Sequence, residues 1–462
     1  MRKFVNVFCF MALVVLMALP VYGRVPLQLD SPVVILVEQT TGRVLYSRSE
    51  RVNRYPADIS VLLTALVAVE YLELDEVLVV GTEIRGMPTG YGPNIHFEGE
   101  TITVDTLLHA LLVRAGNDTG RVLALNVVRR IDGRFNIPYE QARHTFAVMM
   151  NEKARSLGTR NTHFDNPYGR HSVNHFTTAY DMAIITRAFM ENPILAEIAG
   201  TRIFEADSLN GVEHHAPNVR QYSWTNNNLM LPHAPHGHPY IIGAKAGNSA
   251  TAGHTLAAAA YNDGMQFVTV VMGGTDAERW QDTRRLMDYG FSNFRFREVS
   301  RENEVIKTVR IENPRRGDSS YLTVLSSRDY TTLLSNSEYS AINRTITFDP
   351  LLYVVMDDEA YTIPTLRAPI TYGARIGMAT YTSNGQVIFE APVISSRAVE
   401  EHSFDSDMDY YIAFIFSNIF TRRALPIWFG LFGMGVGIFG IYFGATANRR
   451  AEDRRSNRYS RF

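Results

Sequence analysis

The sequence predicts an α/β domain, then a smaller all-β, sandwich-like module, then a C-terminal transmembrane helix, and three observations carry that order. Helical and strand patterns mix from Ser31 to about Val299, the pattern becomes mainly β from about Ser300 to Arg397, and Leu425 to Ala445 holds no charged side chain. About 20 such residues are enough to cross a bilayer. With 462 residues, 46% hydrophobic and 20% charged, the chain has the length of two or three folded units and a composition that excludes a mostly disordered protein. Lys+Arg 45 against Asp+Glu 47 leaves a net charge of -2, without the basic excess that nucleic-acid binding needs.

The elements follow in chain order. Met1 to Gly23 opens with Arg2 and Lys3, runs apolar from Phe8 to Leu19 and ends in Val21-Tyr22-Gly23, the layout of a secretory signal peptide, with the mature chain starting near Arg24. Its Cys9 is the chain's single cysteine, so the mature part has no disulfide, thiolate metal site or thiol nucleophile. Val33 to Val37 and Val44 to Tyr46 read as strands around the turn Thr41-Gly42-Arg43. Ile59 to Leu72 is apolar around its whole circumference, which predicts a buried helix. Helices are expected at Val104 to Val113, Tyr139 to Leu157 and Ala179 to Glu191, and strands at His254 to Tyr261 and Met265 to Gly273, so both ends of the first domain feed its sheet.

In the second module, strands are expected at Val305 to Ile311, Tyr321 to Leu325, Thr345 to Phe348 and Leu352 to Met356. A hairpin joins Met378 to Thr382 with Val387 to Ala391 through Asn384-Gly385, a pair that accepts the positive φ of a tight turn. Tyr410 to Phe420 is apolar but too short to cross, so it is either an interfacial helix or part of one long helix. Beyond the span, Arg449, Arg450, Arg454, Arg455, Arg458 and Arg461 favour a cytoplasmic tail. Within the span, Gly433 and Gly437, and Gly440 and Gly444, would allow close helix approach and a homodimer. The expected organisation is signal peptide 1–23, α/β domain 24–299, β-rich domain 300–397, membrane-proximal linker or interfacial helix 398–424, transmembrane helix 425–445 and basic tail 446–462.

The stretches SPVVILVEQTTGRVLYSRSERVNRYPAD, FEGETITVDTLLHALLVRAGND, NTHFDNPYGRHSVNHFTTAYDMAIITRAFM and GAKAGNSATAGHTLAAAA follow one another between residues 31 and 260. In these the first domain resembles the D-alanyl-D-alanine carboxypeptidases, low-molecular-mass penicillin-binding proteins that share a fold with serine β-lactamases. The resemblance implies a serine β-lactamase/DD-peptidase-like fold, a role in peptidoglycan metabolism at the bacterial cytoplasmic membrane with the body outside, and no cofactor.

It also implies the chemistry of S-x-x-K, S-x-N and K-T-G: a serine nucleophile, a lysine that takes its proton, and a strand lysine with a hydroxyl neighbour that binds a terminal carboxylate. Aligned on Pro56-Ala57 and Thr64-Ala65-Leu66, the serine position holds Asp58 and the lysine position Val61. A shift to Ser60 puts Leu63 where the lysine should stand, and no lysine of the chain (Lys3, Lys153, Lys245, Lys307) follows a serine at this spacing. The second motif reads Ala115-Gly116-Asn117 and the third Lys245-Ala246-Gly247, so Asn117 and Lys245 remain as groups for a ligand's peptide and carboxylate.

Attack by Asp58 would form a mixed anhydride with no lysine to manage protons; its carboxylate suits helix capping better. Asp118, His171, His175, His214 and His215 are metal-capable types, but adjacent His214 and His215 point apart on a strand, and no paired His motif with a glutamate is present. Three functions stand: an inactive family member that binds stem peptide or a wall-synthesis protein, an active hydrolase with atypical groups, or a structural membrane protein acting through its β-rich module or glycine-rich span.

Overall fold

The computed structural model describes residues 27–87, 95–207, 209, 221–354, 364–419 and 425–459. Two compact units divide between Arg295 and Phe296. The signal-peptide residues 1–23 and the pair His214-His215 lie outside the described residues.

The first unit is built on a five-stranded antiparallel sheet in the order Val44–Arg48, Val33–Glu38, Met265–Gly274, Gly253–Asn262, Ile241–Ser249. Val33–Glu38 pairs along its length with Phe267–Met272, which joins the two ends of the domain as the sequence implies. Alternation along that strand serves two faces. Val33, Ile35 and Val37 enter a core shared with the helices Val61–Ala68, Asn117–Asp132, Tyr139–Ser156 and Ala179–Glu191. Leu36 and Phe267 instead close on Gly290 of the helix Asp276–Asn293, where a Cβ would stand 3.0 Å from Phe267. A sheet covered on both faces needs apolar residues at successive positions, and the run VVILVE is buried throughout.

The buried helix starts as a tight 3-10 turn, Ala57–Ser60, and continues as Val61–Ala68, every residue of which is buried. Val104–His109 runs on into a π-helical turn, Ala110–Arg114, that ends at Ala115 in the left-handed conformation. Three helices were not anticipated: Asn117–Asp132, Pro193–Gly200 and Asp276–Asn293. The first starts at Asn117, inside the second motif; the third is announced by a capping box in which Thr275 and Glu278 satisfy each other's backbone N–H.

The second unit carries a seven-stranded sheet, ordered Ile342–Phe348, Arg375–Ser383, Gln386–Ser395, Tyr321–Ser326, Val305–Glu312, Thr365–Arg367, Tyr353–Val354. Its core gathers Val309, Leu322, Val324, Leu366, Ile376, Ala379 and Val393. The hairpin turn is formed by Asn384 and Gly385 at φ 50° and 79°, as that dipeptide predicts. Of the strand expected at Leu352 to Met356, Tyr353–Val354 is described, and Val355 and Met356 lie outside the described residues. Two helices follow, Phe404–Ile419 and Leu425–Tyr459. The second contains Phe429–Arg449, 21 residues long and apolar enough to cross a membrane, which fits a single-pass anchor.

Candidate active-site cleft

A cleft of about 750 Å³ opens in the first unit where the Ala57–Ser60 turn, the π-turn and the strand Ile241–Ser249 converge, with Asp58, Ala115, Asn117 and Asn248 on its walls. The three segments that carry the aligned motifs are thus brought together. Each contains an alanine with positive φ: Ala57 at 50°, Ala115 at 63° and Ala244 at 105°. Such backbone costs on the order of 1–3 kcal/mol per residue and persists only where the surroundings impose it.

At Asp58 the surroundings are two glycines. A Cβ on Gly247 would stand 2.7 Å from the Asp58 backbone nitrogen, and one on Gly169, itself at φ 78°, would stand 2.6 Å from the Ala57 carbonyl oxygen. Thr255 Oγ1 donates to the Pro56 carbonyl at 2.9 Å and holds the turn against the strand Gly253–Asn262. Asp58 retains partial exposure in the cleft, and its side chain caps no helix, contrary to the capping expected of it. The backbone N–H of Asn248 instead favours its ionised form from across the cleft. Burial pushes the Asp58 carboxyl up to about 6, against the pull of Lys245, the Asn248 N–H and Arg279.

Lys245 is fully buried. Its Nζ donates to the Leu112 carbonyl at 2.7 Å and to Asn227 Oδ1 at 3.0 Å. Burial lowers Lys245 to about 8; Asp58 opposes that shift and Arg114 adds to it. The ammonium expected to face a ligand carboxylate is therefore occupied by protein partners. Ala246 is buried, and its carbonyl accepts from Asn227 Nδ2 at 3.3 Å. The Gly247 carbonyl accepts from Arg279 Nη1 at 2.8 Å. Val61 is 2% exposed and packed into the apolar core, so the position of the proton-accepting lysine is filled with hydrocarbon. Asn117, 5% exposed, opens the helix Asn117–Asp132 at the cleft wall.

The other candidates take structural places. Asp118 accepts backbone N–H groups from Ile95 at 2.6 Å and His96 at 2.7 Å, and burial raises its pKa. His171 lies at the cleft, edge-on to Tyr55 with ring centroids 4.4 Å apart. His175 Nε2 is 3.1 Å from Ser60 Oγ and its Nδ1 is 3.2 Å from Asp165 Oδ1, the connectivity of a serine-protease triad. That set does not operate as one: Ser60 is fully buried, and its hydroxyl donates to the Ala57 carbonyl at 3.1 Å instead of aiming its proton at the imidazole. Burial lowers the His175 pKa, while hydrogen bonds from His175, Ser172 and Asn166 overcome burial and hold Asp165 well below the carboxylate range.

Sequence reasoning missed Arg114, Asn227, Asn248, His254 and Arg279. Arg114 and Asn248 stand directly beside motif residues and could have been found by that adjacency. Asn227 and Arg279 reach the site from segments with no motif and leave no local signal.

A family model described as D-alanyl-D-alanine carboxypeptidase matches residues 22–276. The chain belongs to the D-alanyl-D-alanine carboxypeptidase family. A second model, the C-terminal domain of penicillin-binding protein 5, matches residues 294–401. The chain is similar to the D-alanyl-D-alanine carboxypeptidase DacF of Bacillus subtilis, 26% identical over 80% of this chain and 86% of that protein. It is similar to DacD of Escherichia coli at 24% identity, over 82% and 89% of the two chains. Among solved structures, DacD from Francisella tularensis superposes with a TM-score of 0.57 at 23% identity, covering 81% of this chain and 94% of that one. Penicillin-binding protein 6B from Escherichia coli gives 0.57 at 20% identity, over 81% and 98%. These likenesses establish the fold, and the family places the chain among penicillin-binding-protein-like members of peptidoglycan metabolism.

Proposed function

We propose that this family member holds peptidoglycan stem peptide in its cleft without cleaving it, as a membrane-anchored, catalytically inactive relative of the carboxypeptidases. One observation carries the reading: the nucleophile position holds a carboxylate, Asp58, under the charge of a buried Lys245, and Val61, packed in the core, removes the amine that would take a proton. Acyl transfer needs a nucleophile whose proton is managed by a neighbouring base, and donors free to meet the developing oxyanion. Here Asp58 puts its own negative charge where that oxyanion would need the Asn248 N–H. What remains is a concave surface of amides, backbone groups and cations, suited to recognition of a peptide.

The body lies outside the cytoplasmic membrane on this reading, tethered by the span near Phe429–Arg449 with the arginine-rich residues after it inside. A wall-synthesis protein is the alternative occupant of the cleft, and Gly433 and Gly437 are the positions through which spans would pair. The deciding experiment incubates the full-length protein in detergent with a stem pentapeptide ending in D-Ala-D-Ala, measuring D-alanine release and binding heat together. Binding without release is expected; release that a β-lactam suppresses would overturn the reading.

A further inference from the structure

Three cations stand at the cleft that holds the Asp58 carboxylate, two of them, Lys245 and Arg279, acting on it directly. Lys245 is fully buried and its ammonium serves Leu112 and Asn227. Arg279 spans the Gly247 carbonyl at 2.8 Å and the Asp276 carboxylate at 2.5 Å. Arg114 is exposed at the cleft, within electrostatic reach of Lys245, and its guanidinium has no hydrogen bond or ion pair among the described residues.

Its position is nonetheless fixed. The π-turn Ala110–Arg114 buries Leu111, Leu112 and Val113 completely. The Leu112 carbonyl is held by Lys245 Nζ, and the Val113 carbonyl by the Asn227 backbone N–H at 3.1 Å. Ala115, left-handed at φ 63° and ψ 47°, then turns the chain into the helix that begins at Asn117. Arg114 is the residue of this turn that faces solvent, one step from the last pinned carbonyl. π-turns of this kind recur at functional sites.

We infer that Arg114, and not Lys245, receives the terminal carboxylate of the ligand in this cleft, so that the site selects peptides with a free C-terminal carboxylate over those blocked as amides. The inference rests on the reading of the cleft as a peptide-binding site. The physical reason is charge accounting: Asp58 is an internal anion that takes up the electrostatic demand of the buried cations, whereas a guanidinium at the rim keeps its planar fork of donors for a carboxylate. His254 does not compete for this task, because burial and the neighbouring Arg279 lower its pKa and favour the neutral ring.

The test uses the full-length protein in detergent and two probes, diacetyl-Lys-D-Ala-D-Ala and the same peptide as its C-terminal amide. Wild type should bind the acid about tenfold more tightly than the amide, Arg114→Gln should bring the two affinities together, and Arg114→Lys should restore part of the difference. Arg114 is exposed, so an unchanged melting temperature is expected and confirms that folding is intact. Equal binding of acid and amide by wild type, a preference that survives in Arg114→Gln, or one lost instead on Arg170→Gln, at another arginine lining the cleft, would each overturn the inference and leave the peptide-binding reading standing. Failure of wild type to bind either probe would remove that reading, and the inference with it.

Discussion

Lys245, buried in the strand that faces the turn, is the foremost charge drawing the Asp58 carboxyl toward its ionised form, so the nucleophile position holds a carboxylate paired with the strand's cation and no hydroxyl. Exposure of the protein to benzylpenicillin should therefore leave its intact mass unchanged. Asp58→Ser alone should also give no adduct, because hydrocarbon still stands at Val61. The pair Asp58→Ser with Val61→Lys should acylate detectably, at some loss of stability from the lysine placed in the core. An adduct on wild type that disappears in Ser60→Ala would mean that the buried Ser60 becomes reachable.

Gly247→Ala should destabilise the first unit by about 2–3 kcal/mol, since the new methyl meets backbone that cannot step aside. A loss of roughly 5–10 °C in melting temperature is the expected reading. Gly133→Ala makes an informative control: that glycine ends a helix at φ 66° with nothing within 4 Å, so its cost comes from backbone strain alone and should be smaller.

The sequence made most of the scaffold legible. Val33 to Val37 and the all-round apolar helix announce themselves because burial on two faces, or on all sides, leaves no polar position in the pattern. Asn384-Gly385 is decided by φ angles that few other residues accept. The cleft was legible only where motif residues touch it. That Lys245 points inward cannot be read from GAKAG; it follows from the Leu112 carbonyl and Asn227, which arrive from 133 and 18 residues away. Asp58 was expected to cap a helix because Pro56-Ala57-Asp58 precedes one. The 3-10 turn places Ser60 at the start of the α-helix instead, which leaves the Asp58 side chain on the cleft wall.

The raised Asp58 carboxyl gives stability a definite pH dependence. Its proton is held up to about pH 6 in the folded chain and is lost near 3.8 when unfolded. The stability this group contributes is therefore full below about pH 3.8 and declines as pH rises through about 6, by an amount on the order of 1–3 kcal/mol. Chemical denaturation at pH 4 through 7 should show this decline in wild type and a flatter profile in Asp58→Asn. Profiles of equal slope would count against desolvation of Asp58 on the cleft wall.

Lys245→Met should be costly by itself, about 3 kcal/mol, because it leaves Asp58 without its main counter-charge and Asn227 Oδ1 without its donor. Combining it with Asp58→Asn should cost clearly less than the two single changes added together, a coupling of about 1 kcal/mol or more. Additive losses in the double-mutant cycle would mean that the two groups do not sense each other.

The clamp formed by Gly169 and Gly247 around Ala57 and Asp58 presses backbone on backbone, and the side-chain atom nearest to Gly247, Thr255 Oγ1, is itself held by the Pro56 carbonyl. A floor held in this manner has little slack to lose. The Asp58 amide should exchange with solvent deuterium only when a large part of the unit opens, and a ligand settling there would surrender its own freedom while the receptor surrenders almost none.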